Sequence, residues 1–179
     1  MSNYKRSNTQ GGTYFFTIVS FKRRAILCDE PMLHAMREAV SHVRQTYPFE
    51  IDAWVTLPDH IHALWTLPYD DSDFGKRWGL IKRHVSMQCP EYEAPLEMLS
   101  LSNTKRGEKG IWQRRFWEHQ IKDEADFEKH MDYIHFNPVK HCLVESVVDW
   151  RYSTFHKYVA RELYSADWGG VLESGDFGE

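Results

Sequence analysis

Cysteine is scarce in this 179-residue chain: Cys28, Cys89 and Cys142 are odd in number and share no CxxC spacing. That excludes a disulfide framework and a thiolate zinc site, and it fits reduced thiols in a cytoplasmic protein. No stretch approaches the roughly 18 uninterrupted apolar residues of a membrane helix, so a membrane role is not expected. The polar start, Met1-Ser2-Asn3-Tyr4-Lys5-Arg6-Ser7-Asn8, lacks the apolar run of a signal peptide. Internal repeats are missing, and so is a strong excess of either charge: 22 Lys and Arg face 26 Asp and Glu, for a net −4. What is present is a hydrophobic content of 42% with 15% aromatics, enough for a packed core in one domain.

The near-neutral average hides an uneven distribution. Asp167, Glu173, Asp176 and Glu179 crowd the last thirteen residues with no base among them, leaving the remainder balanced. Between Lys76 and Lys122 ten basic residues outnumber five acidic ones, and from Tyr4 to Arg24 there are five bases and no acid. Phosphate backbones respond to such local patches, because salt screens distant charges within about 10 Å at 0.1 M. Solvated surface faces would produce the same pattern.

Gly12 to Phe21 is β-branched and aromatic and reads as a buried strand. Pro31 opens a helix on which Met32, Leu33, Met36, Ala39, Val40 and Val43 recur at helical spacing, ending near Tyr47-Pro48. Phe49 to Val55 and His60 to Leu67 read as two strands joined tightly at Pro58-Asp59, an antiparallel hairpin. Asp73 caps a second helix carrying Phe74, Trp78, Ile81 and Val85. Residues 90–110 lose periodicity and read as a mobile loop or insertion. Ile111 to His119 looks like a fourth strand, and Asp123 or Asp126 starts a third helix through Tyr133. An aromatic-rich extension follows Val144. The order predicts an α+β fold: an antiparallel sheet with helices packed on one face.

The chemistry concentrates in two places. On a strand, His60, His62, Leu64 and Thr66 share one face, while Ile61, Ala63, Trp65 and Leu67 share the other, which their apolarity makes the core side. Two imidazoles on the side away from the main core can grip one ion, although a strand pair of histidines also fits plain hydrogen-bonded residues. On the third helix, at about 100° per residue, His130, Tyr133 and Asn137 fall in one sector beside an apolar sector of Phe127, Met131 and Ile134. A phenol and an amide carbonyl four residues apart could then reach one metal neighbourhood, with Pro138 expected to end or kink the helix at Asn137. A lone helical aromatic also fits a core position. At neutral pH a phenol, with a reference pKa near 10, is a poor nucleophile without help. A divalent cation can polarise a scissile phosphate and stabilise the charge that builds on it. Imidazoles would also suit zinc, whereas oxygen ligands and phosphates favour magnesium or manganese.

These residues, together with Gly11-Gly12-Thr13-Tyr14-Phe15-Phe16-Thr17, Leu57-Pro58-Asp59-His60-Ile61-His62, Trp112-Gln113-Arg114-Arg115-Phe116-Trp117-Glu118-His119 and Asp132-Tyr133-Ile134-His135-Phe136-Asn137-Pro138-Val139-Lys140-His141, resemble the REP-associated tyrosine transposases, HUH single-tyrosine transposases. The match runs from about residue 10 to the Trp168 region. It implies a ferredoxin-like (RRM-like) fold, with a catalytic domain over 1–145 and an extension over 146–179 packed on it. It also implies metal-dependent cleavage and rejoining of single-stranded DNA at REP-type palindromic hairpins through a covalent 5′-phosphotyrosine. Carried over, Tyr133 is the nucleophile, His60, His62 and Asn137 are ligands for Mg2+ or Mn2+, and a monomer is expected rather than a dimer. Two departures stand out: Cys142 occupies a position usually held by glycine, leaving the backbone there open to difference, and residues 90–110 are longer than usual.

Lys22, Arg23, Arg24, Lys82, Arg83, Arg114 and Arg115 are the candidate DNA surface, because arginine forks fit phosphates and guanine edges. Trp112, Phe116 and Trp117 could stack unpaired bases or simply join the core. Two other readings stay open: a hydrolytic phosphodiesterase using water, and a non-catalytic module that binds structured nucleic acid.

Overall fold

Tyr14-Phe15-Phe16 sets the architecture. In the computed structural model, which describes residues 9–169, all three side chains of this strand are fully buried. Neighbours along a strand point to opposite faces, so a continuous buried run requires cover on both. Strand β1 (Thr13–Val19) lies inside a four-stranded sheet of order β2-β3-β1-β4, with β2 at Glu50–Thr56, β3 at His60–Thr66 and β4 at Trp117–Gln120. Every pairing is antiparallel. With helix α1 (Glu30–Thr46) between β1 and β2 and α2 (Phe74–Gln88) between β3 and β4, this is the expected ferredoxin-like α+β arrangement.

One face carries Tyr14, Phe16, Ile18, Ile61, Ala63 and Trp65, and α1 and α2 pack on it. Trp65 and Trp78 stack at 4.2 Å between centroids in its centre. The other face carries Phe15, Ala53, Val55 and Leu64, and it is covered by Met131, Tyr133 and Ile134 of α4 (Glu124–Lys140). Helices therefore lie on both faces, not one. The expectation of a single helical layer, with the imidazoles outside the core, took the alternation in β3 as the whole signal. The unbroken Tyr14-Phe15-Phe16 run is the mark of a sheet buried twice.

Local chemistry explains the boundaries. Asp29 and Pro31 start α1, and the Asp73 carboxylate accepts the Lys76 N–H at the start of α2. Asp123 does the same for α4 through the Asp126 N–H. Leu57 N–H donates to His60 O across Pro58-Asp59, closing the β2–β3 hairpin in two residues. Helix α4 runs through Pro138 to Lys140, correcting the expected break at Asn137. Pro138 sits two residues before the last helical residue, Lys140, and what it costs is local to the preceding turn: the bond its missing N–H would have made to the Ile134 carbonyl. The helix closes with Leu143 N–H on Pro138 O and Cys142 N–H on Val139 O, with Cys142 left-handed at φ 55°. That is the Schellman arrangement, so cysteine here adopts the backbone that glycine favours.

Residues 90–110 are not featureless: they form two single 3-10 turns and a short helix, α3 (Leu101–Lys105), capped reciprocally by Ser100 and Asn103. The fourth strand is shorter than expected, preceded by an isolated Ser20–Trp112 bridge. After α4, residues 153–154 pair along the free edge of β2, and the short helix α5 (Phe155–Val159) follows. The acidic positions Glu173, Asp176 and Glu179, and Lys5 and Arg6 at the other end, lie outside the described residues. Among the described residues no helix is long and apolar enough to cross a membrane.

Candidate active site

The register of β1 and β3 fixes the histidines. Thr17 faces His62 and Val19 faces His60, both on the side covered by α4. His60, His62 and Asn137 are 1%, 0% and 0% exposed, and Tyr133 is 4% exposed. The two imidazoles sit 4.8 Å apart between centroids. Tyr133 lies against His62 at 5.3 Å, and His141, at the C-cap of α4, lies against His60 at 5.1 Å. Asn137, buried, is four residues from each of these contacts and so lies on the same helical face between them. The sequence-derived set of His60, His62, Tyr133 and Asn137 is thus gathered under one helix.

Each ring is held from behind. The Asp59 carboxylate accepts His60 Nδ1–H at 2.7 Å, and its other oxygen takes Arg23 Nη1 at 3.0 Å. Burial alone would raise the Asp59 pKa, but the His60 hydrogen bond and charge and the Arg23 pair together bring it below the usual carboxylate value. His62 Nδ1 shares a hydrogen bond of 3.0 Å with the Thr17 hydroxyl. With Nδ1 engaged in both rings, Nε2 is the nitrogen set to bind an ion, the arrangement that orients metal-binding histidines. Nε2 of His60 and Oδ1 of Asn137 are both closed off from solvent. Two imidazole nitrogens and one amide oxygen, enclosed and oriented, fit a divalent cation with positions left for oxygen ligands.

Lys140 lies one turn beyond Asn137, near the end of α4. Its ammonium donates to the Tyr133 hydroxyl at 3.0 Å and lies 4.8 Å from the ring centroid. Seven residues on a helix is nearly two full turns, which was the available signal.

His130 does not join Tyr133 and Asn137 as the sector argument suggested. It turns to Asp126, whose main-chain oxygen meets His130 Nδ1 at 2.7 Å, while His119 Nε2 meets the Asp126 carboxylate at 2.8 Å. The ligand atoms of His119, Asp126 and His130 lie within 4.8 Å of one another. The Asp126 carboxylate also accepts Lys122 N–H, so the group serves to tie β4 to the start of α4. Burial pushes the His130 pKa down. Phe15 stands between this group and the site, touching both His130 and His62.

The candidate DNA residues divide. Arg24 donates to Tyr92 O at 2.7 Å and Gly110 O at 3.2 Å, so it pins the ends of the 90–110 segment. Lys82 donates to Gln113 O at 2.9 Å, a second structural engagement. Arg83, Arg114 and Arg115 are exposed. Arg83 and Arg114 line a groove of about 600 Å³ with Trp112; Lys22, Arg114 and Arg115 line an adjoining one of about 420 Å³. Arg23 connects this basic side to His60 through Asp59. Trp112 and Phe116 pack against the α1–α2 core and Trp117 against the α4 core, each partly buried.

No family model matches the chain. A REP-associated tyrosine transposase of Escherichia coli K12 is 44% identical over 179 residues, 100% of this chain and 98% of its own. A relative in Haemophilus influenzae Rd is 46% identical over 171 residues, 95% of this chain and 94% of its own. A solved REP-associated tyrosine transposase bound to a REP hairpin superposes with TM-score 0.84 at 43% identity, over 100% of this chain and 98% of that one. The chain belongs to the REP-associated tyrosine transposases.

Proposed function

We propose that this transposase cleaves and rejoins single-stranded DNA beside REP-type hairpins through a covalent 5′-phosphotyrosine at Tyr133. The observation that carries the reading is the contact of the Tyr133 ring with His62, beside His60, on a helix that also carries the buried Asn137 one turn further on. His60, His62 and Asn137 would hold Mg2+ or Mn2+, which supplies Lewis-acid polarisation of the scissile phosphate. Asp59 and Thr17 hold the two rings in register for that task.

Tyr133 does the bond chemistry. Its phenolic oxygen gives up its proton to solvent and attacks phosphorus; the new bond is Tyr O–P, the broken one P–O3′, and the released 3′ oxygen takes up a proton. Rejoining is the reverse, with a 3′ hydroxyl displacing the phenolic oxygen. The α4 and β1 packing that buries Tyr133 fixes its ring, so little freedom remains to be lost on attack. Arg83, Arg114, Arg115 and Lys22, with Arg23, form the proposed backbone-binding side. His60, His62 and Tyr133 meet within one chain, so a monomer is the proposed unit.

The test is incubation of the protein with end-labelled REP-type hairpin DNA and Mn2+, followed by denaturing electrophoresis. The reading expects a slow-migrating protein–DNA adduct that Tyr133→Phe abolishes. Normal cleavage by Tyr133→Phe would remove Tyr133 from the chemistry. Cleavage without any adduct in the wild type would favour a water nucleophile, and tight binding without cleavage a binding module.

A further inference from the structure

We propose that Lys140 is a second catalytic residue, whose ammonium stabilises the negative charge on the Tyr133 oxygen as it attacks phosphorus and again as it departs. The proposal rests on the reading of Tyr133 as nucleophile. Three features of α4 support it. Tyr133, Asn137 and Lys140 follow one another on successive turns of one helical face, within about 60° of each other at 100° per residue, with Tyr133 and Lys140 about 20° apart. The Lys140 chain is folded back along the helix, with its nitrogen 4.8 Å from the Tyr133 ring centroid and 3.0 Å from the hydroxyl. Lys140 is itself an exposed residue, whereas Tyr133 is buried. Holding a flexible, well-hydrated lysine in one conformation at the surface has an entropic cost, which a charge-assisted hydrogen bond offsets.

The groups around the phenol make the cation matter. His62 and Phe15 contact the Tyr133 ring, and His60 and His141 lie beyond. None of these four side chains carries a permanent positive charge, whereas the Lys140 ammonium does and donates to the hydroxyl itself. In the forward step the ammonium stays protonated and donates to the oxygen while the phenolic proton goes to solvent. As the Tyr O–P bond forms, charge passes from that oxygen to the phosphoryl oxygens and on to O3′. In the reverse step the phenolic oxygen is the leaving group and regains the same partner. One residue therefore acts on both directions, and the equilibrium between free and covalent enzyme is left nearly unchanged.

The experiment compares wild type, Lys140→Met, Lys140→Arg and Tyr133→Phe in single-turnover adduct formation on labelled hairpin DNA with saturating enzyme and Mn2+. Hairpin affinity is measured separately in Tyr133→Phe and in the Tyr133→Phe/Lys140→Met pair, where no chemistry interferes. Losing one charge-assisted hydrogen bond to the reacting oxygen predicts that Lys140→Met slows adduct formation roughly 10- to 100-fold. Rejoining should slow by a similar factor, the final adduct fraction should hold, and affinity should stay within twofold. Lys140→Arg should retain a rate within about fivefold, because the charge and donor persist. A Lys140→Met rate within fivefold of wild type overturns the proposal, as does an Arg variant as slow as the Met variant, or an affinity loss that accounts for the rate. Cleavage by Tyr133→Phe would instead overturn the underlying reading. Because Lys140 is exposed, both substitutions leave the core intact, and thermal melting verifies this.

Discussion

Asp59→Asn isolates the support behind the paired histidines. The carboxylate accepts His60 Nδ1–H at 2.7 Å, a charge-assisted bond, on a ring that is itself 1% exposed. Asparagine keeps the shape but loses the charge that makes Nε2 a better donor to a cation. Outer-shell partners of metal-binding histidines are worth roughly 10- to 100-fold in metal affinity, about 1.4 to 2.8 kcal/mol. The Asp59 side chain is 24% exposed, so water screens part of its charge and the lower part of that range, about 10- to 30-fold, is expected. The assay is the Mn2+ concentration giving half-maximal adduct formation, paired with direct Mn2+ binding followed by electron paramagnetic resonance. Arg23→Ala is the control, because it removes the other partner of the same carboxylate in a pair whose arginine is 46% exposed. Exposed pairs contribute about 0 to 1 kcal/mol, so a shift under about fivefold is expected there. Equal Mn2+ requirements in wild type and Asp59→Asn would refute the claim that Asp59 acts through a metal-binding His60.

Other outcomes follow from the same geometry. Cys142→Gly should stabilise the protein by about 1 kcal/mol in urea unfolding, since glycine adopts φ 55° without a Cβ clash; a loss of stability would contradict the helix-end assignment. His135 is fully buried, and burial lowers its pKa from 6.5 to about 4. Between those values the unfolded chain binds a proton that the folded protein refuses, so stability is full above pH 6.5 and is lost as pH falls toward 4. The loss from pH 7.5 to 5 should be about 2 kcal/mol, and His135→Phe should reduce this acid sensitivity in paired urea titrations. Arg114→Ala/Arg115→Ala should weaken hairpin binding and lower the salt slope of the binding constant by about 2. Arg24→Ala should leave that slope unchanged and increase protease cutting within 90–110, because it loses the carbonyls of Tyr92 and Gly110.

Much of the architecture was legible because it is written in local chemistry. The alternation from His60 to Leu67, the Asp73 cap and the tight Pro58-Asp59 link each depend on a few adjacent residues, and each appears where expected. The second covered face was legible in principle in the Phe15-Phe16 pair, but only by treating two adjacent buried aromatics as a demand for two layers. The partners of polar side chains were not legible. Arg24 and Lys82 look identical in sequence to Arg114 and Arg115, and only tertiary contacts assign the first two to main-chain carbonyls. His130 was drawn to Asp126 and His119 for the same reason, since the sequence says nothing about how β4 meets α4. Pro138 misled because its local cost to the preceding turn is outweighed by tertiary packing that carries the helix on to Lys140, which the sequence does not display.

The central claim is that one phenolic oxygen becomes joined to DNA. Mass spectrometry of the trapped adduct, after nuclease trimming and proteolysis, reads this directly. The account predicts a nucleotide phosphate on the peptide containing Tyr133 and an unmodified Tyr133 in DNA-free controls. A nucleotide on any other residue, or a trimmed 5′ phosphate with no modified peptide at all, would contradict it.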